Sequence, residues 1–414
     1  MLVVLILRRL LLFSVIGGPQ WFWFSRASRI TARWQSRMLR SVARIALVLA
    51  IIAIIAVLYD RIFAGILPAE LSAWAAPLIE LWIFTSIVGF LWLMLLRFIV
   101  AVSSAIRRTL SANGPQSPDP DRRAILRYAV SIAGSVPFIA ALYGYVIERH
   151  AFEIVRVEVP LANLPMELDG LRIVQLSDIH AGDLFPISEL RRAISIANQL
   201  GAHLALITGD FISGRGDPLA ECIGELSTLR APLGIWGCNG NHEIYAGAED
   251  EAERLFAANG MRLLRNSAAQ IRWNGADLNL IGVDYQHVPF TGSTMPDLPG
   301  IERLVRRDMP NVLLSHNPKT FYRAAEQGIE LSLAGHTHGG QVNVEILHSS
   351  WNAAQFITKF VAGLYEQPTG TKAGDSSAAA KIARLYVSRG LGTLGLPARI
   401  GAAPEITLLT LHSD

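Results

Sequence analysis

The chain has 414 residues, of which 51% are hydrophobic and only 17% are charged, and its formal net charge is +3. So small a charge, with no basic cluster interleaved with aromatic residues in the second half, argues against a nucleic-acid partner. Cys222 and Cys238 lack CxxC spacing, which argues against a disulfide framework or a thiolate metal site. The composition points to no obligate protein partner.

The first part of the chain, residues 1–148, is predicted to be a transmembrane region. A helix needs about 20 apolar residues to cross the roughly 30 Å hydrocarbon core of a bilayer. Three segments are predicted to do so: 44–66, 76–101 and 128–147. A fourth segment, 1–17, is apolar except for Arg8 and Arg9, which are costly at the bilayer centre, and the sequence leaves open whether it spans.

The arginines of the connecting segments predict the orientation. The segment 17–44 holds six arginines and no acidic residue, and 102–127 holds five arginines against two aspartates. Short basic connections stay in the cytoplasm. We therefore expect a multi-pass protein of the cell membrane, with everything after residue 147 on the extracytoplasmic side.

From residue 149 to 414 the sequence is typical of a globular α/β domain, because short apolar runs alternate with amphipathic stretches. Strands are predicted at 171–177, 203–208, 233–238, 278–283, 311–315 and 329–334, and helices at 188–200, 217–229, 248–259 and 318–327. The segment 349–381 is predicted to be a mobile loop at the rim of an active site.

Five of the predicted strands are followed at once by aspartate, asparagine or histidine. The candidate metal ligands among these residues are Asp178, His180, Asp210, Asn241, His316, His336 and His338. Ligands of α/β sheets gather at the carboxyl ends of the strands, so we expect these side chains to lie close together. Each of the pairs 178/180 and 336/338 has a spacing of two, which places both side chains on one side of an extended segment.

This set of donors suits two divalent ions. Seven groups exceed the needs of one tetrahedral ion but fit two ions that share a bridging carboxylate. Oxygen donors mixed with imidazoles favour Mn, Fe, Co, Ni or Zn over Ca or an all-oxygen Mg site. Such a pair of ions lowers the pKa of a bound water and holds both oxygens of a displacement at phosphorus.

The motifs resemble those of a known superfamily. They are, in order, Asp178-x-His180, Gly209-Asp210, Gly240-Asn-His-Glu243, Ser315-His316 and Gly335-His-Thr-His338. Their order and spacing resemble the calcineurin-like metallophosphoesterase superfamily. The stretches LDGLRIVQLSDIHAG, SHNP, AGHTHGGQ, LYVSRGLGTLGLPARIG and PEITLLTL are similar to its membrane-anchored bacterial branch. The resemblance covers about residues 153–411.

The resemblance implies an α/β fold, a four-layer αββα sandwich of two packed sheets with helices outside. It also implies a first metal held by Asp178, His180, Asp210 and His338, and a second held by Asp210, Asn241, His316 and His336. Asp210 would bridge the two ions, and a metal-bound hydroxide would be the nucleophile. His242 would lie beside the substrate, where an imidazole can protonate the leaving oxygen.

We therefore expect a membrane-anchored phosphoesterase that hydrolyses phosphodiester or pyrophosphate bonds of a lipid-linked or envelope substrate. Arg389 is a candidate for binding the substrate phosphate, or else it pins a C-terminal loop. One alternative is a UDP-2,3-diacylglucosamine pyrophosphatase of lipid A synthesis, an activity of some relatives, although that substrate is cytoplasmic. The other is a non-catalytic metal-binding membrane scaffold.

Overall fold

The computed structural model of the protein consists of two compact units, a helical one up to Tyr145 and an α/β one formed by Val146–Leu394 and Ala398–Asp414. The structure describes residues 2–63, 68–110, 120–162, 164–286, 297–346, 349–369 and 382–413. The proposed domain boundary at 148/149 stays a prediction, close to this division.

The helical unit contains four helices: α1 (Leu2–Thr31), α2 (Arg37–Phe63), α3 (Ala69–Leu110) and α4 (Pro120–Val146). Each of the three predicted apolar segments lies in one of them, except that 64–66 falls outside the described residues. In the described part of the chain, three helical stretches are long and apolar enough to cross a membrane: Arg37–Tyr59, Ala75–Ile106 and Ala124–His150. The helices exceed the apolar segments because arginine and alanine at their ends also favour helix.

The segment 17–44 is not the open connection that we expected. It is helical up to Thr31 and again from Arg37, so only a turn separates α1 from α2. The second half of α1 packs on α3, where Gln20 Oε1 accepts a hydrogen bond of 2.8 Å from the Trp82 indole. This packing, together with edge-to-face contacts such as that of Phe22 with Phe90, stabilises helix beyond residue 17.

The α/β unit contains fourteen described strands and five helices. The strands are β1 (Glu153–Leu161), β2 (Arg172–Leu176), β3 (Leu204–Ile207), β4 (Ile235–Gly237), β5 (Arg262–Leu263), β6 (Ser267–Trp273), β7 (Ala276–Gly282), β8 (Asn311–Leu314), β9 (Leu331–Ala334), β10 (Asn343–Ile346), β11 (Ser349–Asn352), β12 (Gly363–Pro368), β13 (Ile382–Val387) and β14 (Glu405–Ser413). The helices are α5 (Ile187–Asn198), α6 (Leu219–Leu226), α7 (Asn241–Ala246), α8 (Glu249–Ala258) and α9 (Phe321–Glu326).

Two six-stranded sheets form the centre of this unit, in the orders β1-β14-β2-β3-β4-β5 and β12-β13-β9-β8-β7-β6. Their facing sides share one buried apolar cluster, to which Ile173 and Leu206 contribute from one sheet and Leu280 and Leu331 from the other. The outer face of the first sheet is covered by α5, α6 and α8, and that of the second by α9. The predicted four-layer αββα sandwich is thereby confirmed.

The segment 349–381 is only partly the loop that we predicted. Residues 349–352 pair with β10, and 363–368 form an edge strand of the second sheet, antiparallel to β13. The edge strand alternates half-buried and exposed residues, a weaker signal than the continuous apolar runs of the central strands. Residues 353–362 form a short helical turn and a connection, and 370–381 lie outside the described residues.

Candidate metal centre

Parallel strands bring the predicted ligands to one edge of the sandwich. β2, β3 and β4 run parallel in the first sheet, and β8 runs parallel to β9 in the second. The carboxyl ends of these strands carry the candidate residues, as predicted: Asp178 and His180 after β2, Asp210 after β3, Asn241 and His242 after β4, His316 after β8, and His336 and His338 after β9. All are buried except His336, which is half-buried.

The first group of possible metal ligands consists of Asp178, His180 and His338. One donor atom from each lies within 4.8 Å of the others. His338 Nε2 is 3.4 Å from Asp178 Oδ1 and 3.1 Å from His180 Nε2. A carboxylate oxygen and two imidazole nitrogens thus converge on one point, as in the coordination sphere of a borderline divalent ion.

The second group consists of Asp210, His316 and His336, whose donor atoms also lie within 4.8 Å of one another. His316 Nε2 is 3.0 Å from Asp210 Oδ2. The same oxygen is 3.5 Å from His180 Nε2, so Asp210 lies between the two groups. A third combination joins His180, Asp210 and His242, which places His242 at the same centre.

Hydrogen bonds fix which nitrogen each imidazole presents to the centre. A backbone carbonyl only accepts, so His316 Nδ1–H donates to Thr208 O at 2.6 Å and His242 Nδ1–H donates to Ser213 O at 2.6 Å. His180 Nδ1 lies 3.1 Å from Ser213 Oγ. In all three rings Nε2 therefore remains available for a metal or a substrate. Metal-binding histidines are usually oriented in this way by a hydrogen bond at the other ring nitrogen.

The electrostatics of the centre favour neutral imidazoles at His180, His336 and His338. Burial lowers the pKa of His180 to about 3 and that of His336 to about 4, and it lowers the pKa of His338 well below the usual range. Burial also lowers the pKa of His316, but Asp210 and Asp178 outweigh it and raise that pKa to about 10. The carboxylates thus create a negative potential that either a proton on His316 or a cation neutralises.

The residues present fit a pair of metal ions. Asn241 Oδ1 is buried and has no hydrogen-bond donor in the described part of the chain, although its neighbour His242 donates a backbone hydrogen bond of 2.9 Å to Asp210 Oδ1. A buried amide oxygen without a partner costs about 1–3 kcal/mol, which a cation would offset. Together with neutral imidazoles and two buried carboxylates, this oxygen completes the mixed N/O donor set that we predicted.

Backbone strain is concentrated at the centre. Among the described residues, eight non-glycine residues have positive φ, and five of these are Asp178, His180, Asp210, His336 and His338, with φ between 49° and 74°. Such conformations cost about 1–3 kcal/mol each and persist only where surrounding contacts enforce them. Part of the favourable free energy of folding is therefore offset by this strain, which directs the five side chains toward the centre.

Gly240 allows the backbone that precedes α7 to lie directly against Asp210. A Cβ at this position would overlap the Asp210 carboxylate and lie 2.6 Å from the Asp210 backbone nitrogen. We expect Gly240→Ala to displace Asp210 and to lower any metal-dependent turnover by at least about 100-fold, the cost of misplacing a reacting group by about 1 Å. Gly224→Ala is the matched control, because a Cβ there meets nothing within 4 Å. Equal turnover in the two variants would contradict the role given to Gly240.

Glu243 is a residue of the centre that sequence analysis did not single out. It is fully buried in the first turn of α7, and its carboxylate accepts hydrogen bonds from the backbone nitrogens of Asp210, Phe211, Ile212 and Gly240 at 2.8–3.3 Å. Burial and the Asp210 charge raise its pKa to about 7. The sequence does contain a signal for this residue, because a glutamate three residues after Gly240 has the spacing of a capping box at the start of a helix.

Arg389 follows the carboxyl end of β13, beside the centre. Its Nε donates to Glu405 Oε2 at 2.7 Å and its Nη2 to Glu153 Oε2 at 2.8 Å. These contacts favour the interpretation in which Arg389 holds the C-terminal segment in place, and its binding of phosphate stays a prediction.

Cys238 is buried, and burial raises the pKa of its thiol, as for a packing residue rather than a reactive one.

Comparisons with known proteins agree with this centre. Residues 171–340 match the calcineurin-like phosphoesterase family. A transmembrane protein with a metallophosphoesterase domain from Bos taurus is 30% identical over 311 residues, covering 72% of this chain and 65% of that protein. Its counterpart from Danio rerio is 30% identical over 66% of this chain and 60% of its own length. The uncharacterized metallophosphoesterase YkuE of Bacillus subtilis is 29% identical over 66% of this chain and 90% of its own.

The chain thus spans less than two thirds of the two transmembrane relatives. The matched residues nevertheless include all of the strand-end motifs that form the centre, from Asp178 to His338. The α/β unit thus contains a domain of the calcineurin-like metallophosphoesterase superfamily.

Proposed function

We propose that the protein is a membrane-anchored, multi-pass phosphoesterase that uses two divalent metal ions to hydrolyse phosphodiester or pyrophosphate bonds. The single observation that carries this proposal is the position of Asp210, whose carboxylate lies between two groups of candidate ligands. One carboxylate between two nitrogen-rich groups is the arrangement expected of a bridged pair of ions.

The proposed ligands are Asp178, His180, Asp210 and His338 for the first ion and Asp210, Asn241, His316 and His336 for the second. When bound, the two ions would supply Lewis acidity to the phosphoryl oxygens and lower the pKa of a water. The mixed N/O donors favour a class of ions that comprises Mn, Fe, Co, Ni and Zn. They do not distinguish among its members.

His242 is the proposed proton donor. Its Nδ1–H is held by Ser213 O, so Nε2 is the nitrogen that can carry a second proton to the leaving oxygen. His242 is 9% exposed, so a substrate at the centre could reach it. Tyr285 lies on another side, with its ring 5.4 Å from the His336 ring, and burial raises its pKa to about 12, so it stays a hydrogen-bond donor.

The proposed substrate class is a lipid-linked or envelope phosphodiester or pyrophosphate. One general acid can serve both kinds of bond, because a diester leaves as an alkoxide that His242 would protonate, and a pyrophosphate leaves as a phosphate that needs little assistance. The apolar helices of the same chain favour a substrate that resides in or at the bilayer.

Hydrolysis of two chromogenic esters by the purified full chain tests the reaction class. We expect Mn²⁺-dependent turnover of bis(p-nitrophenyl) phosphate that exceeds turnover of p-nitrophenyl phosphate and stops with EDTA. His242→Asn should lower turnover of a dialkyl phosphodiester by about 10²–10⁴-fold, the usual contribution of a general acid, because its alkoxide leaving group needs a proton that p-nitrophenolate does not need. Diester hydrolysis that persists in EDTA, or a preference for the monoester, would contradict the proposed reaction.

The orientation is tested by labelling introduced cysteines with a membrane-impermeant maleimide in intact cells. Cys222 and Cys238 are buried and should not react, so Glu251→Cys on the exposed side of α8 reports on the α/β unit alone. We expect Glu251→Cys to be labelled and Ser36→Cys, in the exposed turn between α1 and α2, to be protected. The reverse pattern would place the α/β unit in the cytoplasm and favour the UDP-2,3-diacylglucosamine pyrophosphatase alternative.

A further inference from the structure

Arg399 is the largest fully buried side chain among the described residues. Its guanidinium donates three hydrogen bonds to backbone carbonyls of residues 389–392: Nε to Gly392 O at 3.1 Å, and Nη2 to Arg389 O at 2.8 Å and Gly390 O at 3.1 Å. Nη1 donates a fourth to Ala402 O at 2.9 Å. The five donors of a guanidinium form a rigid fork. Arg399 therefore fixes the path of residues 389–392, which follow β13.

This segment lies directly against a proposed metal ligand. Gly392 N donates to Asp178 O at 2.7 Å, and Leu391 N donates to Ser177 O at 3.0 Å. A Cβ on Gly390 would lie 2.5 Å from the Asp178 Cβ. Because Asp178 has a φ of 49°, it needs such contacts to hold its backbone in place.

Charge couples Arg399 to the same ligand group. Burying a cation is costly unless negative charge lies near. Burial lowers the pKa of Arg399 to about 10, and Asp178 makes the largest opposing contribution, with smaller ones from Glu405 and Glu148, whereas Arg389 adds to the lowering.

We propose that Arg399 is a positioning residue for the first metal: it holds the 389–392 segment against Asp178 and so supports the group formed by Asp178, His180 and His338. In the second group, His316 and the Asp210 backbone are held by other contacts, from Thr208 O and from Glu243, and His336 is linked to Asp178 through its backbone N–H alone, which donates to Asp178 Oδ1 at 2.9 Å. The inference rests on the proposed function, and it predicts that loss of Arg399 affects one ion and not the other.

Calorimetric titration of the metal-free full chain in detergent with Mn²⁺ tests this selectivity. The wild type should bind two ions, and Asp178→Ala identifies which binding step belongs to the first group. We expect Arg399→Met to weaken that step by about 10- to 100-fold, the usual effect of removing an outer partner of a metal ligand, and to change the other step by less than about threefold. Arg384→Met, which removes another buried arginine, should leave both steps unchanged.

Arg399→Lys keeps the positive charge, but its ammonium group cannot donate to all four carbonyls, so it should weaken the same binding step. This variant tests the proposal if Arg399→Met does not fold. Equal weakening of both steps would show a general structural role and overturn the proposal, as would unchanged affinities. A wild-type chain that binds no Mn²⁺ would instead refute the proposed function itself, which separates the two failures.

Discussion

Asp210→Asn should abolish metal-dependent hydrolysis, with turnover reduced by at least about 10³-fold, or about 4 kcal/mol of transition-state stabilisation. The substitution preserves the shape of the side chain and tolerates the left-handed backbone at φ 56°. It removes the charge that lies 3.0 Å from His316 Nε2 and 3.5 Å from His180 Nε2. Since both proposed ions share this carboxylate, both should bind more weakly.

Asp308→Asn is the matched control for this prediction. Asp308 is an exposed residue before β8, at the amino end of the strand, and its carboxylate pairs with Arg306. The Asp308→Asn variant should retain wild-type turnover of bis(p-nitrophenyl) phosphate. An Asp210→Asn variant that keeps more than about a tenth of wild-type turnover at saturating Mn²⁺ would remove the bridging role from Asp210.

Glu243→Gln should have the largest effect on stability of any single conservative change at the centre. The carboxylate accepts hydrogen bonds from the backbone N–H groups of Asp210, Phe211, Ile212 and Gly240. An amide would turn its NH₂ toward some of these donors and leave them without an acceptor. We expect a loss of about 2–4 kcal/mol in the free energy of unfolding, and a fall in Tm of about 5–10 °C by thermal unfolding of the full chain.

Glu221→Gln provides the comparison, because Glu221 is an exposed residue in the first turn of α6. Its Tm should change by less than about 2 °C, as for most surface substitutions. If Glu243→Gln were as stable as Glu221→Gln, the four hydrogen bonds would not hold the Asp210 loop in place. If Glu243→Gln lost turnover but kept wild-type stability, Glu243 would instead take a more direct part in the reaction.

The sequence predicted the parts of the fold that rest on continuous apolar runs. The strands that precede Asp210 and His316 are buried on both faces, so each contains a continuous apolar run shortly before a polar candidate ligand, and the strand before Asp178 is interrupted only by the buried Gln175 after its first residue. The edge strand 363–368 has no such run and was predicted as loop. Likewise, arginines in 17–44 suggested a connection, although arginine is also a good helix former.

The supporting residues were harder to predict because their roles depend on contacts between distant segments. Ser213 holds His180 and His242 from a loop whose sequence carries no signal of that role. Arg399 acts through carbonyls of residues that precede it by seven to ten positions. His242 and Arg399 both bond main-chain carbonyls, and a main-chain acceptor leaves no mark in the sequence.

Counting the metal ions bound per chain tests the central claim most directly. The wild type and Asp210→Asn would be reconstituted with Mn²⁺, freed of excess metal, and measured by elemental mass spectrometry beside their turnover of bis(p-nitrophenyl) phosphate. We predict two ions per wild-type chain, and fewer than one ion with no turnover in Asp210→Asn. A folded wild-type chain that retains no metal, or an Asp210→Asn chain that retains two ions and full turnover, would contradict a dinuclear centre bridged by Asp210.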